Sequence, residues 1–334
     1  MAISERFLQS GPMPSGSVEG IGAKEKEPIN NICVMKFGGT SVGSAEAIER
    51  VAGIVEAYRR NGNPIVVVVS AMSGVTEELI KVCDNIAVQN NQGAIELINN
   101  LQERHFSTCL QLNMPSLWKL DLQGELNSLF DQLREEANRD GLMLDGRRDS
   151  ILSFGERLSA KIVAARLGLL AEPVDASIII ETNDKFGDAA PNMKRTRKNV
   201  REAIPNLIRR GRIPVITGFI GATPDGRRTT LGRGGSDYTA SILGWALGSR
   251  EVFIWTDVDG VYSGDPRKDP TAVLIPEMSF VEADKVARNG GKVLCPKTLE
   301  PFLGLNGDAK TVVWVKNTFN PDSQGTRISH SSQL

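Results

Sequence analysis

Apolar positions along the chain switch between two rhythms. Residues 65–69 are an unbroken β-branched run, Ile65-Val66-Val67-Val68-Val69, which is typical of a strand buried on both faces. Upstream, Ile48, Val51, Ala52 and Val55 recur at i, i+3, i+4 and i+7, one face of a helix. That pattern predicts a helix over 45–60 with Ser44 as N-cap, stopped by Asn61-Gly62-Asn63-Pro64. A strand over 32–36 precedes it. Strand, helix, strand in this order is a βαβ unit, hence a parallel sheet.

Residues 93–140 read as helices with a break at Met114-Pro115, and another helix is expected from about 153 to 167. Turn residues Asn183-Asp184 and Gly187-Asp188 predict a hairpin or lid-like excursion over 178–192. Alternation then resumes. Helices are expected over 200–210, 237–247 and 281–288, and strands over 213–217 and 251–256. Residues 272–276 and a last strand at 311–315 complete the pattern. The fold class is therefore α/β with a central, mainly parallel sheet, and its role changes near 190–210. No internal repeat is visible.

Two glycine-rich segments punctuate this pattern, Lys36-Phe37-Gly38-Gly39-Thr40-Ser41 and Gly232-Arg233-Gly234-Gly235-Ser236-Asp237. Each follows a strand pattern and precedes a helix, where backbone amides and a helix N-terminus meet anions. Each also carries a cation, Lys36 or Arg233. Two such devices suit a nucleotide phosphate and an anionic acceptor. A lysine ending a buried strand is costly unless it has an anion. Arg233 can grip a carboxylate through two hydrogen bonds. Asp237, itself anionic, suits orienting Lys36 or holding a metal better than binding phosphate.

Other candidates lie in loops. Ser70-Ala71-Met72-Ser73-Gly74-Val75-Thr76 is a hydroxyl-rich loop after a buried strand, and Ser73 or Thr76 also fits a plain N-cap. Glu156 fits a substrate ammonium, and with Ser153 it equally fits a capping box. Thr256 and Asp257 end a strand, Asp259-Gly260 makes the turn after it, and Tyr262, Arg267 and Lys292 follow near a nucleotide rim. GxxxxGK[ST], HRD, DFG and GxGxxG are all missing, which excludes P-loop and protein-kinase architectures and weakens a dinucleotide reading.

Composition adds bounds. The chain has 334 residues, 40% hydrophobic and 24% charged, with a formal net charge of −1. That balance gives no global pull toward nucleic acid or an anionic membrane. The basic run 194–198 reads as a solvated helix start. Four scattered cysteines and two histidines show no zinc-ligand spacing, and a reduced cytoplasmic setting fits them. No apolar run reaches membrane-span length. Residues 1–30 read as a disordered arm without a secretory signal.

Taken together, six segments resemble the catalytic domain of aspartate kinases in the amino-acid kinase superfamily. They are 36–42, 69–76, 153–156, 232–238, 255–262 and 265–267, in that family's order across 32–317. The resemblance implies a three-layer αβα sandwich over 31–318, with a substrate-side half at 31–200 and a nucleotide-side half at 201–318. It implies ATP-dependent phosphorylation of the β-carboxylate of L-aspartate, with Mg²⁺ on the ATP phosphates; the alternatives are the same fold acting on another amino acid or small carboxylate, or a non-catalytic partner of a full-length aspartate kinase. Lys36 and Asp237 become the catalytic pair. Lys36, Phe37, Gly38 and Gly39 hold the transferring phosphate. Ser70, Thr76, Glu156, Arg233, Gly234, Gly235 and Ser236 hold aspartate. Thr256, Asp257, Tyr262, Arg267 and Lys292 line the nucleotide site, with no dedicated protein metal site.

Dimerisation through the kinase domain is a further expectation of the resemblance. Two segments depart from the family: 289–296, with Cys295 where a histidine is usual, and 186–191. Family members usually continue into paired ACT regulatory domains. Here residues 319–334 read as a tail, so a catalytic-only kinase, or a catalytic domain of a longer polypeptide, insensitive to lysine and threonine, is expected.

Overall fold

The computed structural model describes residues 29, 31–264, 269, 271–291, 293–303 and 310–330. Arg267, Lys292 and residues 1–28 of the expected arm lie outside these. The first half of the fold runs β1 (Cys33–Phe37), α1 (Ala45–Arg60), β2 (Ile65–Val69), α2 (Val75–Ala87), α3 (Asn91–Gln111), α4 (Ser116–Asn138), α5 (Asp145–Leu152), α6 (Phe154–Leu167) and β3 (Ala171–Val174). It continues with α7 (Met193–Arg209), β4 (Ile213–Thr217), β5 (Ile220–Ala222), β6 (Arg228–Thr230), α8 (Gly235–Leu247) and β7 (Glu251–Thr256). The final elements are β8 (Glu277–Ser279), α9 (Phe280–Arg288), α10 (Pro296–Leu303), β9 (Val312–Asn317) and β10 (Thr326–Ser329).

Eight strands form one sheet in the order β3-β4-β2-β1-β7-β9-β10-β8. All neighbours are parallel except β10 against β9. The period-2 alternation of each strand feeds two cores. Cys33, Met35 and Phe37 of β1 face the layer of α1 to α6. Ile32 and Val34 face the layer of α7 to α10, and Ile29 packs at its margin. The architecture is the expected three-layer αβα sandwich.

Local signals that needed no tertiary help held. Ser44 caps α1, its hydroxyl accepting from Ala47 N at 3.2 Å. Ser44→Ala is expected to cost about 1 kcal/mol of unfolding free energy, read by denaturant titration with activity unchanged. The expected excursion over 178–192 is closed by the pair Thr182 and Pro191. The basic run opens α7. Lys194, Arg195 and Lys198 are exposed there, and the Arg197 guanidinium lies 4.8 Å from the Trp245 ring centroid.

Three expectations need correction, and one element lies outside them. The expected last strand is followed by β10 within the expected tail; Thr326 to Ile328 pair with Val313 to Val315. The hairpin β5–β6 was not anticipated, although Pro224-Asp225-Gly226 is a turn signal. Neither Ser73 nor Thr76 caps α2. Gly74 does, at φ 78, a conformation glycine adopts without strain. Ser153 does not form a capping box. It is itself helical (φ −60°, ψ −21°), whereas an N-cap is extended, and its hydroxyl donates to Ser150 O at 2.6 Å.

Candidate active site

The carboxyl ends of β1, β2, β4, β7 and β9 lie along one rim, where parallel α/β sheets bind ligands. Lys36 is the penultimate residue of β1 and shares the Val34 face, the side on which α8 packs. Asp237 stands in the first turn of α8. The two meet, with Lys36 Nζ 2.6 Å from Asp237 Oδ1 and both side chains almost wholly buried. A Cβ on Gly38 would lie 3.3 Å from Lys36 Nζ, so the bare glycine leaves room beside the ammonium. A Cβ on Gly39 would lie 3.0 Å from Ala71 O. The two loops touch there, since Ser73 N donates to Gly39 O at 3.1 Å. Ser70 N donates to Phe37 O at 3.1 Å, and Thr76 follows, half-buried in the first turn of α2.

Glu156 enters from α6. It is buried, and its Oε1 accepts from Ala71 N at 3.1 Å. That bond replaces the capping box. Its Oε2 has no partner among the described residues. Burial pushes the carboxyl up to about 8, against the pull of Ala71 N, its own amide and the Lys36 charge. A buried carboxyl with an unpartnered oxygen can accept a donor or, once ionised, a cation.

The second glycine-rich loop frames the other side. Arg233 is exposed, Gly234 sits at φ 73, and Gly235, Ser236 and Asp237 form the first turn of α8, whose leading amides have no acceptor within the helix. Ser236 packs so closely on Gly218 that a Cβ there would lie 2.6 Å from its hydroxyl. Cys295, at one of the two departures from the resembled family, lies at this loop: a Cβ on Gly234 would come within 2.5 Å of its Sγ. Burial and Asp237 raise the Cys295 thiol, while Arg233, Lys36 and Lys297 oppose them.

Two residues that no motif marks hold this loop. Asp149 of α5, buried, accepts from Gly187 N at 2.9 Å, Thr230 N at 2.7 Å and Thr230 Oγ1 at 3.1 Å. Lys297 of α10 reaches Asp188 and donates to Leu231 O at 3.0 Å. The segment 186–191, the other departure, thereby packs directly on the loop, with Ala189 N donating to Thr230 O at 2.9 Å.

Beyond β7, Thr256 Oγ1 lies 3.3 Å from Asp257 Oδ1, and Asp257 is exposed. Tyr262 lines a cavity of about 390 Å³ between the 258–264 loop and α9, with Val258, Val261, Ala287 and Leu294 among its walls. Its size and apolar lining suit a planar base. The α9 side of this cavity carries no sequence signal beyond an ordinary amphipathic helix. A larger hollow of about 600 Å³ lies at the opposite ends of the strands, beside Cys33, Glu251 and Val312. It adjoins neither glycine-rich loop and is not the site. Among the described residues, no helix is long and apolar enough to cross a membrane.

The rim thus joins Lys36, Gly38, Gly39, Glu156, Arg233 and Asp237 around one polar corner, with an apolar cavity one strand away. The chain is similar to known proteins over most of its length. Lysine-sensitive aspartokinase 3 of Escherichia coli is 33% identical over 309 residues, covering 91% of this chain and 66% of the relative. An aspartokinase of Chlamydia trachomatis is 34% identical over 301 residues, covering 89% and 64%. The crystal structure of E. coli aspartokinase III in complex with aspartate and ADP superposes with a TM-score of 0.80 at 32% identity, covering 91% of this chain and 65% of that one. The chain spans between about half and two thirds of the length of such relatives. The pattern of the amino acid kinase family matches residues 31–313, from the start of β1 into β9, and the chain belongs to that family.

Proposed function

We propose that the protein is an aspartate kinase, transferring the γ-phosphoryl group of ATP to the β-carboxylate of L-aspartate. The observation that carries this reading is the pairing of a near-buried Lys36–Asp237 ion pair with the unfilled Oε2 of Glu156. An acidic amino-acid acceptor such as aspartate brings an ammonium and two carboxylates. Glu156 fits the ammonium, and Arg233 fits the α-carboxylate. The β-carboxylate then points toward Lys36. The likeness to a structure solved with aspartate and ADP supports the same assignment.

The chemistry needs no general base. A β-carboxylate oxygen attacks the γ-phosphorus, the bond to the β,γ-bridging oxygen breaks, and ADP leaves with that electron pair. No proton moves. The protein's task is alignment and charge neutralisation. Lys36, fixed by Asp237, neutralises charge on the transferring group. The amides beside Gly38 and Gly39 cradle it. Tyr262 and the apolar cavity seat the base, with Thr256 and Asp257 at the ribose and phosphate edge. Arg267 and Lys292 are proposed for the same edge. Mg²⁺ is proposed to arrive on the nucleotide and to be held chiefly by phosphate. When bound, Mg²⁺ supplies charge neutralisation on the phosphates.

The test is trapping of the acyl phosphate by hydroxylamine in the presence of ATP, Mg²⁺ and aspartate, with other amino acids run in parallel. Aspartate hydroxamate is the expected product. Turnover with a different acceptor, and none with aspartate, would overturn the reading.

A further inference from the structure

We propose that the turn at 317–320, just beyond β9, is a positioning element for the phosphate rim, with Thr318 its central residue. The proposal rests on the kinase reading above. β9 runs beside β7, with Asn317 opposite Thr256, and β7 runs beside β1. Their carboxyl ends therefore line up, and the turn crosses them. Thr318 Oγ1 lies 2.7 Å from Ser41 Oγ, both residues buried and 277 positions apart in sequence. Thr318 N donates to Thr256 O at 2.9 Å. One residue thus ties the loop after β1 to the end of β7.

The flanking asparagines fix the next loop. Asn317 Nδ2 and Asn320 Nδ2 donate to Asp259 Oδ1 at 2.8 and 3.2 Å. The Asn317 side-chain oxygen in turn accepts from Phe319 N at 2.9 Å, which closes the turn on itself. The same four residues therefore anchor both the glycine loop at 38–41 and the loop bearing Asp257.

The physical need is clear. Gly38 and Gly39 leave room for a phosphate because they lack side chains, and for the same reason they cannot lock their own conformation. Ser41, two residues on, is the first buried hydroxyl after the glycines, and Thr318 is its partner. A buried hydroxyl pair carries no charge, so it fixes geometry without altering the field at Lys36. In-line transfer is sensitive to sub-ångström placement. Thr318 is accordingly a positioning residue that acts through Ser41 and touches no reacting atom.

The test compares Thr318→Val, Thr318→Ser and the double variant Ser41→Ala/Thr318→Val. Thr318→Val is expected to lower kcat about tenfold and to raise the ATP KM, with the aspartate KM held within about twofold. It strands the Ser41 hydroxyl, so its Tm also falls. The double variant removes both partners and is expected to regain Tm while kcat stays low. Thr318→Ser is expected to regain kcat. Unchanged kcat in Thr318→Val, or recovery of kcat together with Tm in the double variant, would overturn the proposal. If the parent protein makes no acyl phosphate, the kinase reading fails instead. ADP affinity by calorimetry then decides the positioning role: weakening about fivefold in Thr318→Val upholds it, and equal affinity overturns it.

Discussion

Lys36→Met is expected to lower kcat by on the order of a thousandfold, with a much smaller change in nucleotide affinity. The Lys36 ammonium ends a buried strand, is almost wholly enclosed and is held 2.6 Å from Asp237. A charge so fixed loses little to reorganisation when the phosphoryl group transfers, so its effect is larger in the transition state than in the bound ground state. Methionine keeps the length of the side chain and removes the charge. It also leaves Asp237 enclosed without its cation, which should cost about 3 kcal/mol of stability. The chemical and structural losses separate in Lys36→Met/Asp237→Asn. That variant is expected to regain most of the stability and none of the turnover. If kcat and nucleotide affinity fall together in Lys36→Met, Lys36 serves binding alone. If turnover returns in the double variant, the loss was structural.

How far this pair was legible depends on which link is asked for. Both residues stand in recognisable segments because glycine-rich turns between strand and helix are local patterns. Their contact is not local. It needs α8 to pack on the Val34 face of β1, so that its first turn lands beside the end of that strand. The same division runs through the fold. The β-branched run of β2 and the capped helix α1 were readable because their causes lie within the segments. The short strand β10, Thr-Arg-Ile-Ser, mixes polar and apolar residues and becomes a strand through β9 and β8. Ser153 and Glu156 satisfy a capping pattern, yet Glu156 is claimed by Ala71 N, 85 positions away. Thr318 had only an asparagine–proline turn around it as a signal, and its partner Ser41 lies at the far end of the domain. Asp149 and Lys297 lacked even that, because their partners, backbone and side-chain groups alike, lie in loops remote in sequence.

Aspartate binding is expected to strengthen with pH, its KM falling about tenfold per unit below the Glu156 pKa and levelling above it. Burial raises Glu156 to about 8 in the unliganded protein. Below that pH the carboxyl is mostly neutral, and recognising an ammonium requires its ionised form. Binding therefore releases a proton, while the substrate ammonium itself stays charged across the range. The stability signature has the opposite sign. The folded pKa lies above the ordinary glutamate value of 4.5, so folding takes up a proton between 4.5 and about 8. The associated stability is complete below 4.5 and is lost as pH rises through about 8. Glu156→Gln keeps the shape, remains neutral and can still accept from Ala71 N. It should raise Tm above pH 8 relative to the parent, while removing the pH dependence of aspartate KM and weakening binding throughout. Lys36 helps hold the Glu156 carboxyl down, so Lys36→Met should move the inflection in aspartate affinity, measured by calorimetry, to higher pH. An aspartate KM flat between pH 6 and 8 in the parent would mean that Glu156 does not meet the ammonium, and its unfilled oxygen would need another partner.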